Sequence, residues 1–291
     1  MVVGVNKLTS SAMIENRRRE MGVAIYVPFE EQYLTFEALE NGTFTLTIAS
    51  GVTTTVLKDI SYSIDNGDTW TTTNNVASTE VIITTPSISA GDKILWKGTG
   101  SSMAVSNANS IFSSTCLFNV YGSLLSLFYG DDFKGKTAIG SGARVDYFAK
   151  ALFYGSKVVN AKNIFLPTNL GLSVYSNMFY GCVNLISAPV LRADGSFQSC
   201  YESMFRNCTS LIKAPDLLAS SIGARSYYNM FAGCSSLNYI RCLATTRSTN
   251  NPTTGWLSGV SATGTFVKDA SMNDWPTGTG GIPSGWNIID E

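Results

Sequence analysis

The sequence predicts an α+β chain: an N-terminal helix, an antiparallel β-sandwich, then a short repeat solenoid closed by a C-terminal aromatic cap. Three observations predict it. Between about residues 34 and 112 apolar residues alternate with Thr and Ser, the period-two signature of strands. A Met-Phe-x-x-Cys block then recurs at a fixed offset of 26 residues, and self-similarity at one period marks repeat architectures. Trp256, Trp275 and Trp286 follow the last copy, among Gly, Thr and Pro. The expected boundaries are 1–33 for the helix and anchor segment, 34–115 for the sandwich, 116–242 for the repeats and 243–291 for the cap.

Residues 7–22 predict the helix. Ser10 or Ser11 can cap it, Met13, Ile14 and Met21 supply apolar contacts, and Gly22 can end it. It reads either as a helix packed on its own domain or as an anchor that docks on a partner. Its apolar run is short and is followed by Arg17, Arg18 and Arg19, the reverse of the order in a secretory signal.

In the sandwich, Phe44, Leu46 and Ile48 alternate with threonines, and Ile60, Tyr62 and Ile64 with serines. Asp65-Asn66-Gly67-Asp68 predicts a turn into a strand at Trp70 and the threonines after it. Further strands are expected at Val81 to Ile83 and Ile94 to Trp96, bounded by Pro86, Gly91 and Gly98.

The repeat reads Met178-Phe179-Tyr180-Gly181-Cys182, then Met204-Phe205-Arg206-Asn207-Cys208, then Met230-Phe231-Ala232-Gly233-Cys234. Leu152-Phe153-Tyr154-Gly155 and Leu127-Phe128-Tyr129-Gly130 extend it upstream to five copies. Tyr175, Met178, Phe179 and Cys182 fall at i, i+3, i+4 and i+7, which predicts one face of a short helix. Gly181, Asn207 and Gly233 suit its left-handed end. An apolar strand is expected next, at Leu185-Ile186, Leu211-Ile212 and Tyr239-Ile240. A period of 26 lies in the leucine-rich-repeat range, and such units bury their apolar faces only by stacking. The tryptophans read as the seal on the last copy, or as a platform for sugars.

Composition bounds the chemistry. Of 291 residues 44% are hydrophobic and 14% charged, a globular balance. A net charge of −1 provides no field for nucleic acid, and no apolar run is long enough to insert in a membrane. There is no histidine, which removes the commonest general base and metal ligand together. The expectation is a non-enzymatic protein with no cofactor and no metal.

Individual motifs fit that expectation. Residues 130–137 match G-x-x-x-x-G-K-[ST], yet Asp131 and Asp132 would set negative charge beside a phosphate, and Gly140 and Gly142 interrupt the helix that should follow. Asp131, Asp132, Glu30, Glu31 and Glu202 could supply a glycosidase pair, but nothing in their spacing makes them converge. Cys182, Cys208 and Cys234 read as a ladder of buried thiols, while a disulfide at Cys200 or Cys242 stays open. Tyr154, Tyr180 and Tyr228 lie at the edges of the repeat helices and read either as packing or as a recognition surface, for which tyrosine suits.

The M-F-x-G-C-x-S-L pattern with Ala188-Pro189 and Ala214-Pro215 after it resembles the BspA-like leucine-rich-repeat family. The resemblance extends to residues 62–70, Gly91-Asp92-Lys93-Ile94, and the tail from Gly264-Thr265-Phe266-Val267-Lys268 to Gly281-Ile282-Pro283-Ser284-Gly285-Trp286. It covers roughly residues 35 to 289. Members occur on gut-bacterial surface proteins and on virion proteins of phages that infect those bacteria. The resemblance implies surface recognition. With an N-terminus unlike a secreted member's, the expectation is a virion structural protein, a head or tail fibre or appendage, serving host attachment. Other virion proteins would hold the N-terminal segment through Arg17, Arg18 and Arg19. A host surface glycan or protein would be the ligand, and fibres imply a symmetric homo-oligomer such as a trimer. The alternative is a bacterial cell-surface adhesin or glycan-binding protein.

Overall fold

The structure is a computed structural model that describes residues 27–48, 58–73, 81–99, 104–105, 108–109, 111–140, 146–169, 171–192 and 197–291. Alternation works as the pleat requires. In β1 (Leu34–Ala38) and β2 (Phe44–Ile48), Leu34, Phe36, Ala38, Phe44, Leu46 and Ile48 are buried, and the threonines between those of β2 are not. The chain continues through β3 (Lys58–Ser63), β4 (Thr71–Thr73), β5 (Val81–Thr84), β6 (Lys93–Thr99), the two-residue strands β7 (Ala104–Val105) and β8 (Ala108–Asn109), β9 (Ile111–Ser114) and β10 (Phe118–Ser123).

Two sheets result. One runs β10-β1-β6-β3-β4, all antiparallel, and the other β5-β2-β9. Aromatic rings lock them together: Phe36 lies 4.9 Å from Phe112, 5.1 Å from Phe118 and 5.7 Å from Trp96. Asn66 and Gly67 hold φ of 59° and 96°, and Asp68 N–H donates to the Asp65 carbonyl. These are the two left-handed residues that an Asn-Gly turn supplies.

The expected α+β solenoid is overturned. The regular elements among the described residues are nearly all strands, and the one α-helix among them is the single turn α1 (Ser126–Tyr129). Residues 7–22, with the expected N-terminal helix, lie outside the described residues. In the repeats, tight turns replace the expected helices. Met178 N–H donates to Tyr175 O and Tyr180 N–H to Asn177 O, each three residues back. The N–H groups between them leave the copy altogether: Asn177 donates to Glu202 O, Phe179 to Met204 O and Gly181 to Arg206 O. Ser173, Asn177 and Gly181 have φ of 54°, 57° and 73°, so every fourth residue is left-handed, which no right-handed helix permits.

A second correction concerns the strands after these turns. At Leu185-Ile186 and Leu211-Ile212 they shrink to isolated bridges, Asn160 to Ser187 and Lys213 to Tyr239, and Ile186 and Ile212 are exposed. Among the described residues, longer pairing occurs only at the ends of the repeats. There β11 (Val158–Asn160) and β12 (Ile164–Phe165) join β10 in parallel, extending the sandwich sheet. Beyond β13 (Ser221–Ile222), β14 (Tyr239–Cys242), β16 (Gly264–Lys268) and β17 (Trp286–Asp290) form a parallel sheet, and β15 (Thr246–Arg247) pairs β13.

One apolar core runs from Leu34 to Trp286. Copy stacks on copy through like residues, and Phe153, Phe179, Phe205 and Phe231 form a column of near-parallel rings 5.3 to 5.7 Å apart. Trp256 continues the column Tyr175, Tyr201, Tyr227, stacking on Tyr227 at 6.3 Å, and Trp275 stacks on Trp256 at 5.4 Å. Trp256, Trp275 and Trp286 are all buried, so none offers its face to a sugar.

Candidate functional site

The turn runs set their outward side chains in columns, because residues 26 apart occupy the same place in successive copies. Tyr154, Tyr180 and Arg206 form one column. The two tyrosine rings stack at 4.7 Å and 7°, the Arg206 guanidinium lies 5.6 Å from the centre of Tyr180, and Tyr154 is 43% exposed. Asn207 Nδ2 reaches the Tyr180 hydroxyl at 3.5 Å. A cation beside an exposed π-stack prefers ligands that are flat, or that carry both an apolar face and hydroxyls or an acid.

A second column lies four residues earlier, at Lys150, Ser176, Glu202 and Tyr228, of which Ser176 is buried. Here Arg225 bonds Glu202 at 2.6 Å and its guanidinium lies 4.0 Å from the Tyr228 ring. The Glu202 contact raises the Arg225 pKa further, and burial lowers that of Lys150. Of the three tyrosines singled out from the sequence, the structure brings Tyr154 and Tyr180 together and leaves Tyr228 in the neighbouring column. The place equivalent to Tyr180 in the last copy belongs to Ala232. Arg206 and Arg225 were missed. Reading down the 26-residue offset, instead of searching for tyrosines, finds Arg206.

Two of the other candidate acids, Asp131 and Glu202, have structural partners. Gly130–Phe133 is a 3₁₀ turn, and the described residues after it, 134–140, form no helix. Asp131 accepts hydrogen bonds from Lys97 Nζ at 2.8 Å and the Tyr33 hydroxyl at 2.6 Å, which hold its carboxyl below the ordinary value. That is the wrong direction for a general acid. Glu202 is committed to Arg225. Among the described residues, no three His, Cys, Asp or Glu side chains converge to hold a metal, and no helix is long and apolar enough to cross a membrane. Arg17, Arg18 and Arg19 lie outside the described residues.

All six cysteines are buried and none is in a disulfide, Cys200 and Cys242 included. Cys182, Cys208 and Cys234 form the ladder expected of them: each thiol donates to the carbonyl of Phe153, Phe179 or Phe205 in the copy before, at 2.9 to 3.1 Å. Burial pushes Cys182 and Cys234 up to about 12.

Comparison with family models, with curated proteins and with solved structures returns no match.

Proposed function

We propose that this chain is a non-enzymatic recognition protein of a virion, a head or tail fibre or appendage, and that the outward columns of its repeats serve attachment to the host surface. The observation that carries the recognition reading is the Tyr154–Tyr180 stack with Arg206 beside it. Backbone bonds between copies and the buried Phe, Tyr and Cys columns hold the framework, so outward positions are open to change without cost to the fold. Placement on a virion rests on the resemblance carried by the repeat and the tail residues.

Mass spectrometry of gradient-purified phage particles tests it, with copy number taken against the major capsid protein. A fixed stoichiometry is expected, and its value separates abundant head decoration from a few tail fibres. Absence from particles, with the chain on bacterial surfaces instead, overturns the virion reading in favour of the cell-surface adhesin.

A further inference from the structure

Alternation leaves the outer face of the larger sheet with side chains that the core does not use. Register partners Lys93, Glu37, Asn119 and Asn160 fall in one row across β6, β1, β10 and β11. Their neighbours in sequence, Ile94, Phe36 and Phe118, point the other way and are fully buried. Strands lie about 4.8 Å apart, so the row is a polar ladder with a side chain at each step. Tyr121, two residues beyond Asn119 on the same face, stands over one side, with Phe29 edge-on to it at 6.0 Å and Lys93 Nζ over its ring at 5.9 Å. Together they line a groove of about 390 Å³, within the size range of small-molecule sites.

The chemistry of the groove is specific. Asn119 Nδ2 donates to Glu37 Oε2 at 3.2 Å, which orients both groups and leaves the amide oxygen and its second N–H turned to other partners. Asn160 Oδ1 accepts from Lys162 N–H at 2.9 Å, which fixes the amide plane. One lysine and one carboxylate cancel, so no net charge draws a phosphate or a nucleic acid. The lining is too polar for a lipid chain. A partly buried aromatic ring with planar donors and acceptors at a regular spacing matches a molecule with an apolar C–H face and hydroxyls around its rim.

We propose that this groove is a binding site for neutral oligosaccharide: a sugar ring lies against Tyr121, and its hydroxyls bond Asn119, Asn160 and Glu37. The site belongs to the sandwich and does not rest on the virion reading, so the absence of the chain from particles leaves it standing.

Saturation-transfer NMR on the full chain tests it, with maltotriose, cellotriose, mannotriose and N-acetylchitotriose as probes and a heparin hexasaccharide as charged control. At least one neutral trisaccharide is expected to receive saturation and the heparin fragment none. Asn160→Ala and Glu37→Gln, changes at half-buried positions outside the apolar core, are each expected to weaken binding about tenfold. The Tyr154→Ala/Tyr180→Ala double variant should bind as the parent does. Silence from all four neutral probes overturns the proposal. So does preference for the heparin fragment, or binding that survives both groove variants. Loss of binding in the double tyrosine variant instead moves the sugar to the repeat columns and equally overturns it.

Discussion

Phe179 and Phe205, 26 residues apart, lie with ring centres 5.7 Å apart and planes within 3° of parallel. Both are fully buried, and Phe179 N–H donates to the carbonyl of Met204, beside Phe205, at 2.9 Å. Backbone and ring thus fix the same register between copies. Phe205 also stacks on Phe231 at 5.6 Å, so a change there opens both interfaces at once. Phe205→Ala is expected to cost about 3–5 kcal/mol and Phe205→Leu much less, since Leu keeps most of the volume. Urea unfolding followed by tryptophan fluorescence measures both. Equal losses for the two would mean that ring volume does not hold the copies together.

The thiol ladder gives a chemical signature. Cys182, Cys208 and Cys234 are buried, and burial raises the pKa of each, so almost no thiolate forms at mildly alkaline pH and attack on a reagent is blocked. The native chain is expected to resist labelling by a thiol reagent, and all six cysteines should react at once in denaturant. Dithiothreitol should leave Tm unchanged, because no disulfide exists to reduce. Rapid labelling of Cys208 in the native state would show that the copies open readily.

The split between what could and could not be read from the sequence follows from how local each cause is. Asn66-Gly67 was legible because the left-handed preference belongs to those two residues. The 26-residue period was legible because identical side chains stack. The turn runs were not. Burial at Tyr175, Met178, Phe179 and Cys182 is common to a helix face and to a run of four-residue turns, so spacing cannot separate them. Asn177 and Gly181 hint at left-handed backbone, but Ser173, Ser199 and Arg225 adopt it at φ of 54°, 54° and 52° with no sign in their chemistry. The groove was hidden for another reason. Lys93, Glu37, Asn119 and Asn160 come from four separate strands, and only strand register sets them in a row.

Glycines at left-handed positions should divide by what surrounds them. Gly155 has φ of 66°, and a Cβ there meets nothing within 4 Å, so Gly155→Ala costs only backbone strain, about 1–2 kcal/mol. Gly122 has φ of 85°, and a Cβ there would sit 2.0 Å from the carbonyl oxygen of Tyr33. Its N–H donates to Asn163 O and it pairs with Ile164, so the backbone cannot retreat without parting β10 from β12. Gly122→Ala is expected to destabilise by upward of about 3 kcal/mol. Thermal unfolding of the two variants checks the difference, and similar Tm values would contradict it.

Asp65 makes part of the stability acid-sensitive. Its carboxylate accepts from the Ser63 hydroxyl at 2.6 Å and from Thr69 N–H at 2.9 Å, and these bonds pull its pKa from 3.8 to about 2. A lowered carboxyl pKa stabilises the fold above the unfolded value, and that contribution is lost as pH falls through the folded one. The window therefore runs from 3.8 down to about 2. Asp65→Asn should lower Tm by a constant amount above this window, with the gap to the parent closing inside it. A gap independent of pH across that range would show that the charge is not what holds the turn.

Tyr154 and Tyr180 should separate recognition from stability. Tyr154 is 43% exposed, and the pair stacks outside the core, so Tyr154→Ala/Tyr180→Ala removes an offset stack worth about 1 kcal/mol and leaves the Phe and Cys columns intact. Tm should move by only a few degrees. If the chain is the proposed virion recognition protein, a phage carrying the double variant is expected to assemble with normal copy number and to adsorb about tenfold more slowly, as loss of an aromatic anchor at a contact would require. Tyr228→Ala should slow adsorption less, because that ring lies one column away beneath Arg225. Unchanged adsorption in the double variant would place attachment elsewhere on the chain, and a fall in particle number would assign the tyrosines to assembly instead.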